Sequence, residues 1–171
     1  QASLVSTMIF LGTIIGSPFV GWFSDFIARR RLLMIIGALF SLLILTAILL
    51  ISTLHFYTLL VLFLLLGFFT STQIISYPLI AESNPRHLTG LATSLASILI
   101  MGGGAVFQPL FGWLIDLNWN QTILHGVPYY SRSNFLYGMS IIPLGFSVSL
   151  IVAFCLRETY CQPFIHEKNL C

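Results

Sequence analysis

GWFSDFIARRRLL, residues 21–33, sets one Asp and three consecutive Arg between two long apolar runs. Residues 4–23 carry no charge before it, and Leu32 to Ile51 carry none after it. Each run is 20 residues long, and about 20 residues of α-helix are needed to cross a hydrocarbon core of about 30 Å. The Arg triplet therefore reads as a tight loop between two membrane helices.

Working outward, the composition agrees. Of the 171 residues 57% are hydrophobic and 7% charged, with a mean hydropathy of +0.98, outside the range of an ordinary soluble domain. Apolar windows long enough to span a bilayer lie near 4–24, 32–52, 57–80, 90–114 and 135–156. They are helical by necessity, because lipid offers no partner to open backbone groups, and no alternating strand pattern is present. The chain is expected to be an all-α polytopic membrane protein whose main partner is the lipid bilayer. Nothing points to nucleic acid.

Basic residues collect on the cytoplasmic side of membrane helices. Setting Arg29, Arg30 and Arg31 there makes the other ends alternate, and six of the seven Lys and Arg then fall inside. Only Arg132 lies in an exterior segment, so one loop sorts the rest. The C-terminus and the tail at 159–171 are expected to be cytoplasmic. The chain opens on Gln1, close to the first span, without the features of a signal peptide. It therefore reads as part of a longer protein with further helices on its N-terminal side.

Pro18 to Asp25 reads PFVGWFSD and Pro109 to Asp116 reads PLFGWLID, so Pro-x-x-Gly-Trp-x-x-Asp occurs twice, 91 residues apart. The interval holds two further spans. An odd number of crossings inverts one copy relative to the other, and inverted repeats are a construction of secondary transporters. Chance recurrence of Pro, Gly and Trp near helix ends is the competing explanation.

The same residues resemble the loop signature of the major facilitator superfamily, Gly-x-Leu-Ala-Asp-basic-x-Gly-basic-basic. Gly21, Asp25, Arg29 and Arg30 match it, whereas Phe26 stands where a basic residue is usual and Ala28 where glycine is usual. ESNPRHLTG, Glu82 to Gly90, is similar to the loop before the family's fifth and eleventh helices. The resemblance implies that residues 1–158 are most of a C-terminal six-helix half, helices eight to twelve, built from inverted three-helix repeats. The N-terminal half of the same chain would be a partner. It further implies a secondary active transporter, a symporter or antiporter in a bacterial cytoplasmic (inner) membrane, working by alternating access on a small polar solute. RETYC at 157–161 and GGGAVFQP at 102–109 also resemble the phagosomal nutrient transporter group, which implies an amino acid, a nucleoside or another organic solute. The rival is a non-transporting membrane subunit or a membrane-embedded lipid-modifying enzyme.

Asp25 lies at a helix C-terminus, where the macrodipole disfavours an anion, so a nearby cation should compensate it. Asp25 with Arg29 or Arg30, and Glu82 with Arg86, are the expected cytoplasmic gate, which by resemblance closes that side in one of two states. Topology setting and binding of anionic headgroups explain the Arg triplet equally well. No Asp, Glu, Lys or Arg lies within a span, so no coupling carboxylate is expected in this part of the chain.

Thr72, Gln73, Ser76 and Tyr77 interrupt an apolar run, and Gln73, Ser76 and Tyr77 share a helical face. By resemblance this is helix ten, which lines the central path, and these residues with Gln108 are the candidate substrate contacts. Hydroxyls closing on their own helix are the alternative for the Ser and Thr residues. Pro78 should bend the helix. Gly102, Gly103, Gly104 and Pro109 in the fourth span, with a matching small face at Gly12 and Gly16 in the first, are the expected close-packing or hinge positions. Spans two and five, being almost wholly apolar, should face lipid.

Asn118, Trp119, Asn120, His125, Tyr129 and Tyr130 suit an interfacial cap, and Asn120, Gln121 and Thr122 form a glycosylation sequon. His55, His87, His125 and His166 fall in four different segments, and Cys155, Cys161 and Cys171 near the end of the chain. No metal-ligand spacing, catalytic triad or phosphate loop is present, so no cofactor, metal or enzymatic activity is expected.

Overall fold

The computed structural model describes residues 2–51, 55–117, 119, 123–124, 127–128 and 130–160. In chain order the elements are α1 (Ala2–Ile27), α2 (Arg30–Leu50), α3 (Phe56–Thr70), a 3₁₀ segment (Ser71–Ile75), α4 (Ser76–Ser83) and α5 (Thr89–Leu117). The two-residue strands β1 (Ile123–Leu124) and β2 (Val127–Pro128) follow, then α6 (Arg132–Met139) and α7 (Ile141–Cys155). The strands pair antiparallel, Leu124 opposite Val127. Asn118, Asn120, His125, Tyr129, the sequon and the tail beyond Tyr160 lie outside the described residues.

Among the described residues, five stretches are long and apolar enough to cross a membrane: Ser3–Ile27, Arg30–Leu50, Phe56–Ser83, Thr89–Leu117 and Arg132–Cys155. The third and fifth are interrupted, and each interruption has a proline just beyond it. Pro78 cannot donate to the carbonyl of Ile74, and Pro143 cannot donate to that of Met139. The chain tightens to a 3₁₀ turn at Ser71–Ile75 and breaks at Ser140. Each proline then sits in the first turn of the segment that follows, α4 or α7, where no intrahelical donor is needed. The irregularity lies on the N-terminal side of Pro78, where the helix tightens to 3₁₀. Pro18 and Pro109, by contrast, lie inside unbroken helices.

The bundle is organised about α1 and α3. A Cβ on Gly12 would overlap the carbonyl oxygen of Leu64 and lie 2.9 Å from the Phe68 nitrogen. One on Gly16 would stand 2.5 Å from the Ser71 hydroxyl, and one on Gly67 would overlap the Ile9 carbonyl. Gly12 and Gly16 thus face Gly67 and Ser71, small residues four apart on both helices, which lets the backbones touch. Gly12 and Gly16 therefore make their close approach to span three. α2 joins through Gly37, which Thr72 of the 3₁₀ segment covers, and Val20, Leu33 and Ile75 close a small apolar core between them.

α2 also packs along α7, so spans two and five cover each other as well as facing outward. α5 stands apart, touching α4 and α6, with its most apolar stretch unburied. Among the described residues, Gly102, Gly103 and Gly104 meet nothing within 4 Å where a Cβ would be.

In an open helix position Gly to Ala stabilises by about 1 kcal/mol. Gly90→Ala, which meets open space, should therefore hold or raise the melting temperature of the purified protein. Gly12→Ala should lower it, because the methyl group must push α3 away, at roughly 1–3 kcal/mol.

Candidate functional site

Only Ala28 and Arg29 separate α1 from α2. The turn is made by Ala28, whose φ of 55° is left-handed and whose N–H donates to the Ser24 carbonyl at 3.0 Å. This is the αL termination that glycine usually supplies. A Cβ in this conformation costs roughly 1–2 kcal/mol, so the departure at Ala28 leaves the geometry intact at the expense of strain.

The turn delivers Arg30 to the centre of a polar cluster. Its Nε donates to both Glu82 oxygens at 2.9 Å and its Nη2 to Oε1 at 2.6 Å. Nη2 also lies 3.1 Å from Asp25 Oδ1, and Nη1 lies 3.5 Å from the Ser24 hydroxyl. The Arg30 and Glu82 side chains are 8% and 13% exposed, while that of Asp25 is 68% exposed. This contrast ranks the contacts. Removing one partner of a buried, bidentate pair costs about 3–5 kcal/mol, whereas an exposed pair is worth about 0–1 kcal/mol. The latch is Arg30 with Glu82, and Asp25 is its wet flank.

The expected pairing of Glu82 with Arg86 is replaced by pairing with Arg30. Glu82 lies in the last turn of α4, and the α1–α3 contact brings that turn beneath the start of α2, while Arg86 faces outward beyond the helix. Arg29 and Arg86 are exposed and make no ion pair among the described residues. Gly21, with Ser17, Asp25, Arg30, Ile74 and Pro78, lines a pocket of about 210 Å³ beside the latch.

The segment after α7 completes the cluster. Thr159 donates its hydroxyl to Glu82 Oε2 at 2.6 Å, and Glu158 accepts the backbone N–H of Arg31 at 3.2 and 3.3 Å. The Arg31 guanidinium donates to the carbonyl of Phe154. Neither Glu158 nor Thr159 was singled out from the sequence. Their partners lie 127 and 77 residues away, and a contact of that span leaves no local pattern.

The expected substrate contacts fall in three places. Thr72, Gln73 and Ser76 line a cavity of about 270 Å³ between α2, the 3₁₀ segment and α7, together with Ser41 and Ser149. The Thr72 and Ser76 hydroxyls close on the carbonyls of Phe69 and Gln73 at 2.8 and 2.7 Å. Gln73 is exposed. Ser41 is fully buried, and its hydroxyl has no partner among the described residues. Tyr77 instead meets Ser97 of α5 at 3.4 Å. Gln108 lines a separate groove of about 510 Å³ with Phe107, Phe111, Gly145 and Phe146. Phe146 and Ser149 border both spaces.

The second copy of the repeat ends similarly, near a helix C-terminus with a polar partner, for Asp116 accepts the Tyr130 hydroxyl at 2.8 Å. That hydrogen bond, then burial, then the carboxylate charge raise the Tyr130 pKa above its ordinary value. The contact favours the neutral phenol, so it is intact below the ordinary tyrosine value and lost as pH rises through the elevated one. An absorbance titration should show Tyr130 ionising above the ordinary tyrosine value, with Asp116→Asn lowering its pKa. At the other end, Ala28→Gly should stabilise the protein by roughly 0.5–1 kcal/mol, relief of the left-handed strain outweighing the added freedom of the unfolded chain. Thermal unfolding checks it.

No curated protein and no solved structure matches the chain. The family model described as Major Facilitator Superfamily matches residues 1–158, which takes in the hairpin, the latch and all five membrane-length helices. This integral membrane protein belongs to the major facilitator superfamily and is, in general terms, a secondary transporter.

Proposed function

We propose that the chain supplies most of the C-terminal half of a transporter that moves a small polar solute by alternating access, with Arg30 and Glu82 as its cytoplasmic gate. The observation that carries this reading is the buried, bidentate Arg30–Glu82 pair joining the α1–α2 hairpin to the end of α4. Such a pair is costly to desolvate and adds little net stability over apolar packing. Its value is that it has two states, made and broken, and those can be coupled to the separation of helix ends.

The basic end of the helices is the cytoplasmic side, by the distribution of Lys and Arg, and the membrane is a bacterial inner membrane. The solute is an amino acid, a nucleoside or a similar organic compound, read by hydrogen bonds from Gln73, Ser76, Tyr77 and Gln108. Among the described residues, no acidic or basic side chain lines the Thr72–Gln73–Ser76 cavity or the Gln108 groove, which suits an uncharged polar group. The remaining half is supplied by the rest of a longer polypeptide. The internal repeat supports this. Gly103 stands 91 residues after Gly12 in the same register relative to its Pro-x-x-Gly-Trp-x-x-Asp motif. Gly12 is covered by α3, and the open Gly103 is the position at which another apolar helix would pack.

In the complete protein, Glu82→Gln should leave Arg30 buried and half-paired, shifting the balance toward the state open on the cytoplasmic side. Asp25→Asn should act in the same direction and more weakly, since its carboxylate is mostly in water. Single-molecule distance measurements across that end would read both. A balance unchanged by Glu82→Gln would sink the gate.

A further inference from the structure

The residues after α7 do more than end a helix. α2 begins at Arg30 with Arg29 as its N-cap, and Arg29 makes no side-chain cap bond. The first N–H groups of a helix need an acceptor, and Glu158 supplies one by accepting the Arg31 N–H. A carboxylate is the favoured cap there because it also meets the positive end of the helix dipole. The exchange is reciprocal. The Phe154 carbonyl lies in the last turn of α7, where it has no intrahelical donor, and Arg31 supplies one. The start of α2 and the end of α7 thus cap each other, leaving Thr159 one residue beyond Glu158 and over Glu82.

Glu82 Oε2 accepts from both Arg30 Nε and Thr159 Oγ1. With the second donor in place the carboxylate is held from two sides, and its rotation away from Arg30 costs a charge-assisted hydrogen bond. We infer that Glu158 and Thr159 form a strap that holds the cytoplasmic latch shut, so that Arg30 and Glu82 part only when the Arg157–Tyr160 segment lifts. Glu158 and Thr159 are positioning residues: Glu158 anchors the strap on α2, and Thr159 orients the Glu82 carboxylate. This rests on the gate reading of Arg30 and Glu82 and adds an element that follows a helix expected from its sequence to face lipid. It also gives the latch a route of control, since whatever displaces the segment after α7 loosens a gate formed by α1, α2 and α4.

The test uses the full-length protein in its membrane, with Cys155, Cys161 and Cys171 first replaced by Ser. Val20→Cys reports opening, because Val20 is 5% exposed in the core below the latch. Leu45→Cys, 8% exposed far along α2, reports general loosening. A membrane-impermeant maleimide is applied from the side of the basic loop. Thr159→Val should raise the labelling rate of Val20→Cys by roughly tenfold, the scale of one hydrogen bond to a charged group, and leave Leu45→Cys unchanged. Thr159→Ser, which keeps the hydroxyl, should restore the slow rate, and Glu158→Gln should give an intermediate one. If Glu82→Gln speeds labelling at Val20→Cys and Thr159→Val does not, the strap is overturned while the gate stands. If neither does, both fall. Equal acceleration at both reporters would make Thr159 a matter of overall stability and would also overturn the strap.

Discussion

At Gly12 the backbone of one membrane helix rests directly on that of another, in the space a methyl group would fill. Everything at the basic end depends on this contact. It sets the height of α3 along α1, and therefore where the chain arrives after the 3₁₀ turn and the eight residues of α4. Glu82 meets Arg30 because α1 and α3 are held at backbone distance above them. Val20, Leu33 and Ile75 fill the space between. Lipid is as apolar as these side chains, so there is no water to expel and packing must come from close approach. Small residues facing each other on α1 and α3 meet that requirement.

The number, length and helical nature of the spans were legible because the bilayer sets a length and forbids open backbone. The polar hairpin was legible for the same reason, since charge in such a chain can only be at an end. Pairing was not. Asp25 and Arg30 are neighbours along the chain, and their contact could be anticipated from the helix dipole. Glu82 was matched to Arg86 on sequence proximity, yet a helix end sends residues four apart in different directions once the helix has stopped. Burial then decided the ranking: the carboxylate nearest in sequence is in water, and the distant one is enclosed.

The polar residues of the third span show a similar division. Their hydroxyls bond back to the carbonyl three or four residues earlier, as Thr70, Thr72 and Ser76 do, so polarity alone did not mark a wet face. Tyr77 was grouped with Gln73 by a shared helical face and Gln108 was added as a further candidate, and the three lie in different surroundings. Ser41 was passed over as one hydroxyl in an apolar helix, although it is fully enclosed and lacks the back-bond such residues usually make.

The link between α1 and α2 has a mechanical consequence. The two linking residues leave three Cα steps between the helix ends, at most about 11 Å, and one of the two, Ala28, is already committed to a tight left-handed turn. The ends of α1 and α2 therefore cannot draw apart, and neither can rotate far without carrying the other. The pair behaves as a single lever whose short arm holds Arg30. Any displacement of the far end of α1 is delivered to the guanidinium with almost no slack, in a direction fixed by the geometry of one alanine.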